Sequence, residues 1–113
     1  MDELDPLARQ VLPLAPGERL VDCWAASRQG YAREHSYLVL TSDRVLYLLS
    51  DGVFRKSWKL MVNAPLASIE EPSSTLGWLK VAGRRIPMDR RAGAIREEIA
   101  GARAARVCPV ARS

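Results

Sequence analysis

The chain has 113 residues, 48% hydrophobic and 27% charged, with a formal charge of +4. That is the length and apolar content of one domain able to bury a core, which excludes two domains and intrinsic disorder. No apolar run approaches the roughly 20 residues that span a bilayer, and the acidic start MDELDPLARQ lacks the cationic and hydrophobic regions of a signal peptide, so the expected setting is the cytoplasm.

A short helix is predicted first, because Asp5 can cap it, Pro6 suits its first turn, and Leu4, Leu7, Ala8 and Val11 share one face. Pro13 and Pro16 end it, and a turn at Pro16, Gly17 and Glu18 leads into a strand over about 20–27. After a loop around Gly30, the runs SYLVLT (36–41) and RVLYLL (44–49) predict two antiparallel strands with a tight connection at Ser42 and Asp43. Asp51 and Gly52 predict a two-residue turn into a strand over VFRKSWKL (53–60). A loop at 63–65, a strand at LASIEE (66–71), a turn at 72–74 and a strand at TLGWLKV (75–81) follow. A tight turn at Ala82 and Gly83 then leads to RRIPM (84–88), where Pro87 predicts an edge position. From Asp89, read as an N-cap, Ala92, Ile95, Ile99 and Ala102 recur at helical spacing and predict a helix from about 90 to 101 or slightly beyond, with Pro109 closing it.

The expected fold is therefore α+β and mainly β. About seven strands form a bent antiparallel sheet or partly open barrel, one C-terminal helix covers it with Ile95 and Ile99 in the core, and a short helix precedes it. The expected organisation is a helical extension over 1–13, the domain over 14–106 and a tail over 107–113.

Chemistry-bearing residues are sparse. Cys23 and Cys108 are too few for a disulfide framework and form no C-x-x-C pair for zinc, and the single histidine, His35, accompanies no nucleophile motif. No metal, no cofactor and no catalysis are expected. Charge is placed unevenly: residues 80–113 hold nine basic side chains against three acids, a net of +6, while the rest of the chain nets −2. Such an asymmetry marks either a solvated helix and tail or a surface for an anionic partner.

The segments LAPGERLVDCWAA, SYLVLTSDRVLYLL, GVFRKSWKL, PLASIEE and GWLKVAGRRI, followed by one helix, resemble the bacterial pleckstrin-homology-like domains and, more distantly, the GRAM domains. Pro16, Gly17 and Glu18 carry the lead-in. Leu40, Thr41, Asp43, Arg44 and Leu46 carry the central hairpin, and Pro65, Leu66, Ile69, Gly77 and Leu79 carry the later strands. The resemblance covers about residues 14–104. It implies a seven-stranded bent sheet closed at one end by a helix, and a role in binding lipids, peptides or partner domains in place of catalysis; fold alone does not establish function.

Lipid-binding members of that family cradle inositol phosphates with basic residues on the first two strands and their loop. Here that stretch holds Arg28 and Arg33 beside Glu34, too few converging donors for a phosphate pocket. Together with Arg84, Arg85, Arg90 and Arg91 they form a candidate anionic-ligand patch, suited to weak contact with an anionic membrane at about 1 kcal/mol per basic group. Trp24, Trp58 and Trp78, with Lys56, Lys59 and Lys80 nearby, could offer stacking platforms for bases. Apolar strand neighbours favour packing instead, and nucleic acid is not an expected partner. The central hairpin is apolar on both faces, so either the N-terminal helix covers the outer one or it meets another protein chain; the second reading singles out Tyr37, Val39, Val45 and Tyr47 as a candidate protein interface. The functional expectation is a non-catalytic binding module for protein, itself included as a homo-oligomer. The alternatives are a peripheral adaptor for anionic membranes using the C-terminal arginines, and a small-molecule carrier or small enzyme using a cleft in the bent sheet.

Overall fold

The computed structural model describes residues 6–26, 35–51 and 57–107. The fold is α+β and mainly strands, with two antiparallel sheets and a helix at each end of the described chain. Helix α1 (Pro6–Val11) precedes β1 (Leu20–Ala25), β2 (His35–Thr41), β3 (Arg44–Asp51) and β4 (Ser57–Pro65), which form a meander in the order β1-β2-β3-β4. Strands β5 (Ser73–Thr75), β6 (Trp78–Val81) and β7 (Arg84–Pro87) make a second sheet in sequence order. A single 3-10 turn (Asp89–Arg91) then opens α2 (Ala92–Val107). The two sheets do not join into a closed barrel.

Register explains why β2 and β3 are apolar on both faces. Leu38 pairs with Tyr47 and Leu40 with Val45 on one face, while Val39 pairs with Leu46 and Tyr37 with Leu48 on the other. The first face joins Trp24, Leu79, Val81, Ile86, Met88, Ala92, Ile95 and Ile99 in the main core between the sheets and α2. The second face packs with Cys23, and with Ala8 and Leu12 from α1 and the residue after it, in a smaller core. A bulge in β4 at Met61 shifts the register between Tyr47–Val62 and Leu48–Leu60 and leaves Met61 exposed. Ile95 and Ile99 are fully buried, so α2 closes the main core as its spacing predicts.

Several boundaries differ from those predicted. The segment 66–71 is not a strand: Leu66 and Ile69 are buried three residues apart in a turn, where the Ser68 amide donates to the Pro65 carbonyl. Strand β4 instead runs on through Asn63 to Pro65, because pairing with β3 reaches Arg44. The single strand read over 75–81 is divided at Leu76 and Gly77, both at positive φ (50° and 83°), which turn β5 back onto β6. The count of seven strands therefore stands with one predicted strand removed and another split. Asp89 is no helix cap, since it lies at φ 51° inside the 3-10 turn and no side chain caps that turn. Helix α2 passes Gly101 to reach Val107. Val11, on the predicted face of the first helix, is exposed, and Leu12 just after the helix is buried in its place. The predicted starts of α1 at Leu4 and Asp5, the Gly52 turn position, the Gly30 loop, Lys56, Cys108 and Pro109 lie outside the described residues, as does the side chain of His35.

Candidate functional site

The β6–β7 turn at Ala82 and Gly83 (φ 52° and 78°) sets a register in which Val81 faces Arg84, Lys80 faces Arg85, Leu79 faces Ile86 and Trp78 faces Pro87. Alternation sends Leu79, Val81 and Ile86 into the core and leaves Lys80 and Arg85 side by side on the outer face. On β5, Thr75 is opposite Trp78 and Ser73 is opposite Lys80. Ser73, Thr75, Trp78, Lys80 and Arg85 together line a shallow cavity of about 320 Å³ on this sheet. The Arg85 guanidinium lies 5.1 Å from the centroid of the Trp78 ring, within cation–π range. Like charges directly opposed across an antiparallel pair repel, and no carboxylate pairs with either Lys80 or Arg85 among the described residues.

The remaining C-terminal arginines are engaged by the fold. Arg84, next to Arg85, points the other way and lies over the Tyr47 ring at 5.1 Å, bridging the two sheets. Arg91 donates to the Ala25 carbonyl, Arg96 pairs with Glu97, Arg103 Nε donates to the Ile69 carbonyl at 2.8 Å, and Arg106 pairs with Asp43. Of the +6 segment, Lys80, Arg84, Arg85 and the exposed Arg90 are the described cations left without a carboxylate or carbonyl partner, and Arg84 is held by the Tyr47 ring. The candidate patch is thus only partly assembled. Arg85 stands on the outer sheet face, Arg90 on the 3-10 turn, Arg84 and Arg91 are committed to internal contacts, and Arg28 and Arg33 lie outside the described residues. Ser73, Thr75, Trp78 and Lys80 are the lining residues that sequence reasoning did not bring together. The Ala82–Gly83 turn held the signal, because a two-residue turn fixes Lys80 opposite Arg85.

The residues that carry the family resemblance build a clamp. Arg44 Nε donates to Glu18 Oε2 at 2.9 Å while Nη2 reaches Oε1, a two-pronged pair. The Glu18 side chain is 1% exposed and Arg44 19%. Arg44 also donates to Asn63 and to the Pro13 carbonyl. The Thr41 hydroxyl donates to Glu18 and accepts the Asp43 and Arg44 amides, and the Ala15 amide donates to Glu18. The Arg44 guanidinium holds the Glu18 carboxyl down, from 4.5 to about 2, against burial, which alone raises it; Thr41 and Ala15 add to the lowering. Glu18 in turn raises the Arg44 pKa. Glu18, the partner of Arg44, lies 26 residues away in the chain. This network joins the lead-in, the β2–β3 turn and β4, and it is satisfied internally.

The proposed protein interface takes a different form in the structure. Val39, Val45 and Tyr47 are buried in the chain's own two cores, and Tyr37 is half-buried with its ring 5.5 Å from that of Trp58. The second apolar face that suggested a partner is covered by Ala8 and Leu12. Trp24 is buried, while Trp58 and Trp78 are half-buried. Apolar side chains from both sheets and α2 form the core between the sheets. Among the described residues no group of three His, Cys, Asp or Glu side chains is placed to hold a metal, and no helix is long and apolar enough to cross a membrane. Comparisons with protein-family models, curated proteins and solved structures find no match to this chain.

Proposed function

We propose that this chain is a non-catalytic binding module of pleckstrin-homology-like type whose outer β5–β7 face takes an anionic partner. The observation that carries this reading is the Lys80–Arg85 pair: two cations directly opposed across β6 and β7, with no acid between them, beside the Ser73 and Thr75 hydroxyls and the Trp78 ring. An approaching anion relieves the repulsion between the cations and accepts charge-assisted hydrogen bonds from both. The fixed register and the Arg85–Trp78 stack hold the donors in place beforehand, which limits the ordering cost of binding. Association through Tyr37, Val39, Val45 and Tyr47 has less support, because three of these side chains are buried within the chain.

The test is an amide NMR titration with inorganic tripolyphosphate at low and high salt. Shift changes are expected at 73–75, 78–80 and 85, reversed by salt because the interaction is exposed and screened. Changes mapping to other elements, or an unaltered titration in a Lys80→Ala/Arg85→Ala variant, overturn the assignment.

A further inference from the structure

The described residues form two separate cores, and the smaller one depends on a single short element. On the outer face of β1–β3, the fully buried Cys23, Val39, Leu46 and Leu48 pack with Ala8 of α1 and with Leu12 just after it. The main core lies on the opposite face of the same strands and draws on β6, β7 and α2. Lifting α1 away would bare the outer face and leave the main core packed.

Little holds α1 in place. It runs for six residues, about half the length at which an isolated helix becomes marginally stable in water. Ala8 is buried, while Pro6, Arg9, Gln10 and Val11 are exposed. Neither Arg9 nor Gln10 makes a side-chain hydrogen bond or ion pair among the described residues. The chain just beyond is fastened instead: Arg44 donates to the Pro13 carbonyl and grips Glu18, whose carboxylate accepts the Ala15 amide. The segment after Leu12 therefore keeps its place when α1 lifts, and β1 need not move.

The covered face also holds two groups that burial does not suit. Ser50 follows Leu46 and Leu48 on the same face of β3 and pairs with Trp58 across β4, and Trp58 packs against the smaller core. Ser50 Oγ and Trp58 Nε1 are buried with no hydrogen-bond partner among the described residues. Buried donors left unpaired weigh against the closed arrangement.

We infer that α1 is a strap that gates the apolar outer face of β1–β3, opening as a unit hinged at Pro13 while both sheets and α2 stay folded. Opening bares Cys23, Val39, Leu46 and Leu48 together, and closure hides them. Regions that open ahead of global unfolding are those with few buried apolar contacts of their own, and α1 contributes one buried side chain, Ala8, with Leu12 beyond its end.

Cys23 reports the opening, because it is buried against Ala8 and Leu12, and Cys108 is the chain's other cysteine. The experiment labels the full chain carrying Cys108→Ser with dithiobis(nitrobenzoate) across a range of urea concentrations, with unfolding followed in parallel by tryptophan fluorescence. Opening a strap exposes little surface, so labelling should outpace global unfolding and change little with urea below the unfolding transition. Ala8→Glu places an unpartnered carboxylate in the closed face and should speed labelling about tenfold or more. Arg9→Gly, a milder change at an exposed helix position, should speed it about threefold and serves if the first variant does not fold. Ile99→Ala weakens the main core, so it should speed unfolding and leave labelling in low urea unchanged. Labelling that rises with urea as steeply as unfolding, or that Ile99→Ala accelerates as much as it accelerates unfolding, overturns the strap, because the thiol is then reached only through loss of the whole fold. Labelling unmoved by Ala8→Glu and Arg9→Gly overturns it as well, because β1 then exposes its thiol without α1.

Discussion

Replacing Glu18 with Gln keeps the shape of the side chain and removes its charge from the clamp with Arg44. A carboxyl whose pKa falls from 4.5 to about 2 on folding contributes about 3 kcal/mol of stability at neutral pH, at about 1.4 kcal/mol per tenfold. Arg44 is one-fifth exposed, and solvent screening at its edge reduces the measurable loss to about 2 kcal/mol. Gln can accept from Arg44 Nε and Thr41 with its one oxygen, while its amino group then faces the Ala15 amide and Arg44 Nη2, so the charge and those two acceptor contacts are lost together. The folded pKa is depressed, so the stabilisation is fully present above pH 4.5 and disappears as the pH falls toward about 2. Urea unfolding of both proteins across that interval measures it. Wild type should lose more stability than Glu18→Gln on acidification, and the two curves should converge near the acid end. Equal stability at neutral pH, or parallel loss on acidification, would refute the role given to this pair.

Truncating Ile99 to Ala at the centre of the α2 face should cost about 2–5 kcal/mol in denaturant unfolding, since Ile99 is fully buried where α2 meets the sheets. Gly77→Ala should lower stability by at least about 1 kcal/mol, because it combines a φ of 83° with the close approach to Asp89; an unchanged melting temperature would contradict this. Burial and the neighbouring Asp22 carboxylate raise the Glu98 pKa above 4.5. Its ionised form is thus disfavoured on folding, and Glu98→Gln should be at least as stable as wild type at neutral pH while losing the stability step above pH 4.5. Arg106→Ala should change stability by under about 1 kcal/mol, as both members of the Asp43–Arg106 pair are about half exposed.

The fold was legible where period and punctuation agreed. Apolar runs on β2 and β3 bracket a Ser-Asp turn, and Ala92, Ile95 and Ile99 mark the buried stripe of α2, so these elements appear where sequence places them. Residues 66–71 misled because Leu66 and Ile69 are buried at a spacing that suits a turn, and strand propensity carries little weight without alternation. The apolar second face of β2 and β3 left two readings, cover by the N-terminal helix or contact with another chain, and Ala8 and Leu12 pack on it. Glu18 and Arg44 stood in plain view among the residues resembling a known family. Their pairing was hidden, since contact across 26 residues depends on the tertiary path.

The basic segment shows what linear charge counting omits. Nine basic residues in 80–113 suggest a broad electropositive tail. In the structure, Arg84, Arg91, Arg103 and Arg106 instead reach across the molecule to a ring, to carbonyls and to a carboxylate, and serve to dock β7 and α2, while Arg96 pairs with its neighbour Glu97. Neighbours in sequence part company because strand alternation sends Arg84 and Arg85 to opposite faces. Leu76 supplies the complementary argument. A left-handed turn position filled by Asn would be worth about 1 kcal/mol of additional stability, so Leu76→Asn should raise the urea midpoint. If it does, the chain carries at this tip a side chain that stability disfavours, and the reason for it must lie in something the tip touches. If it does not, the turn accommodates leucine without strain.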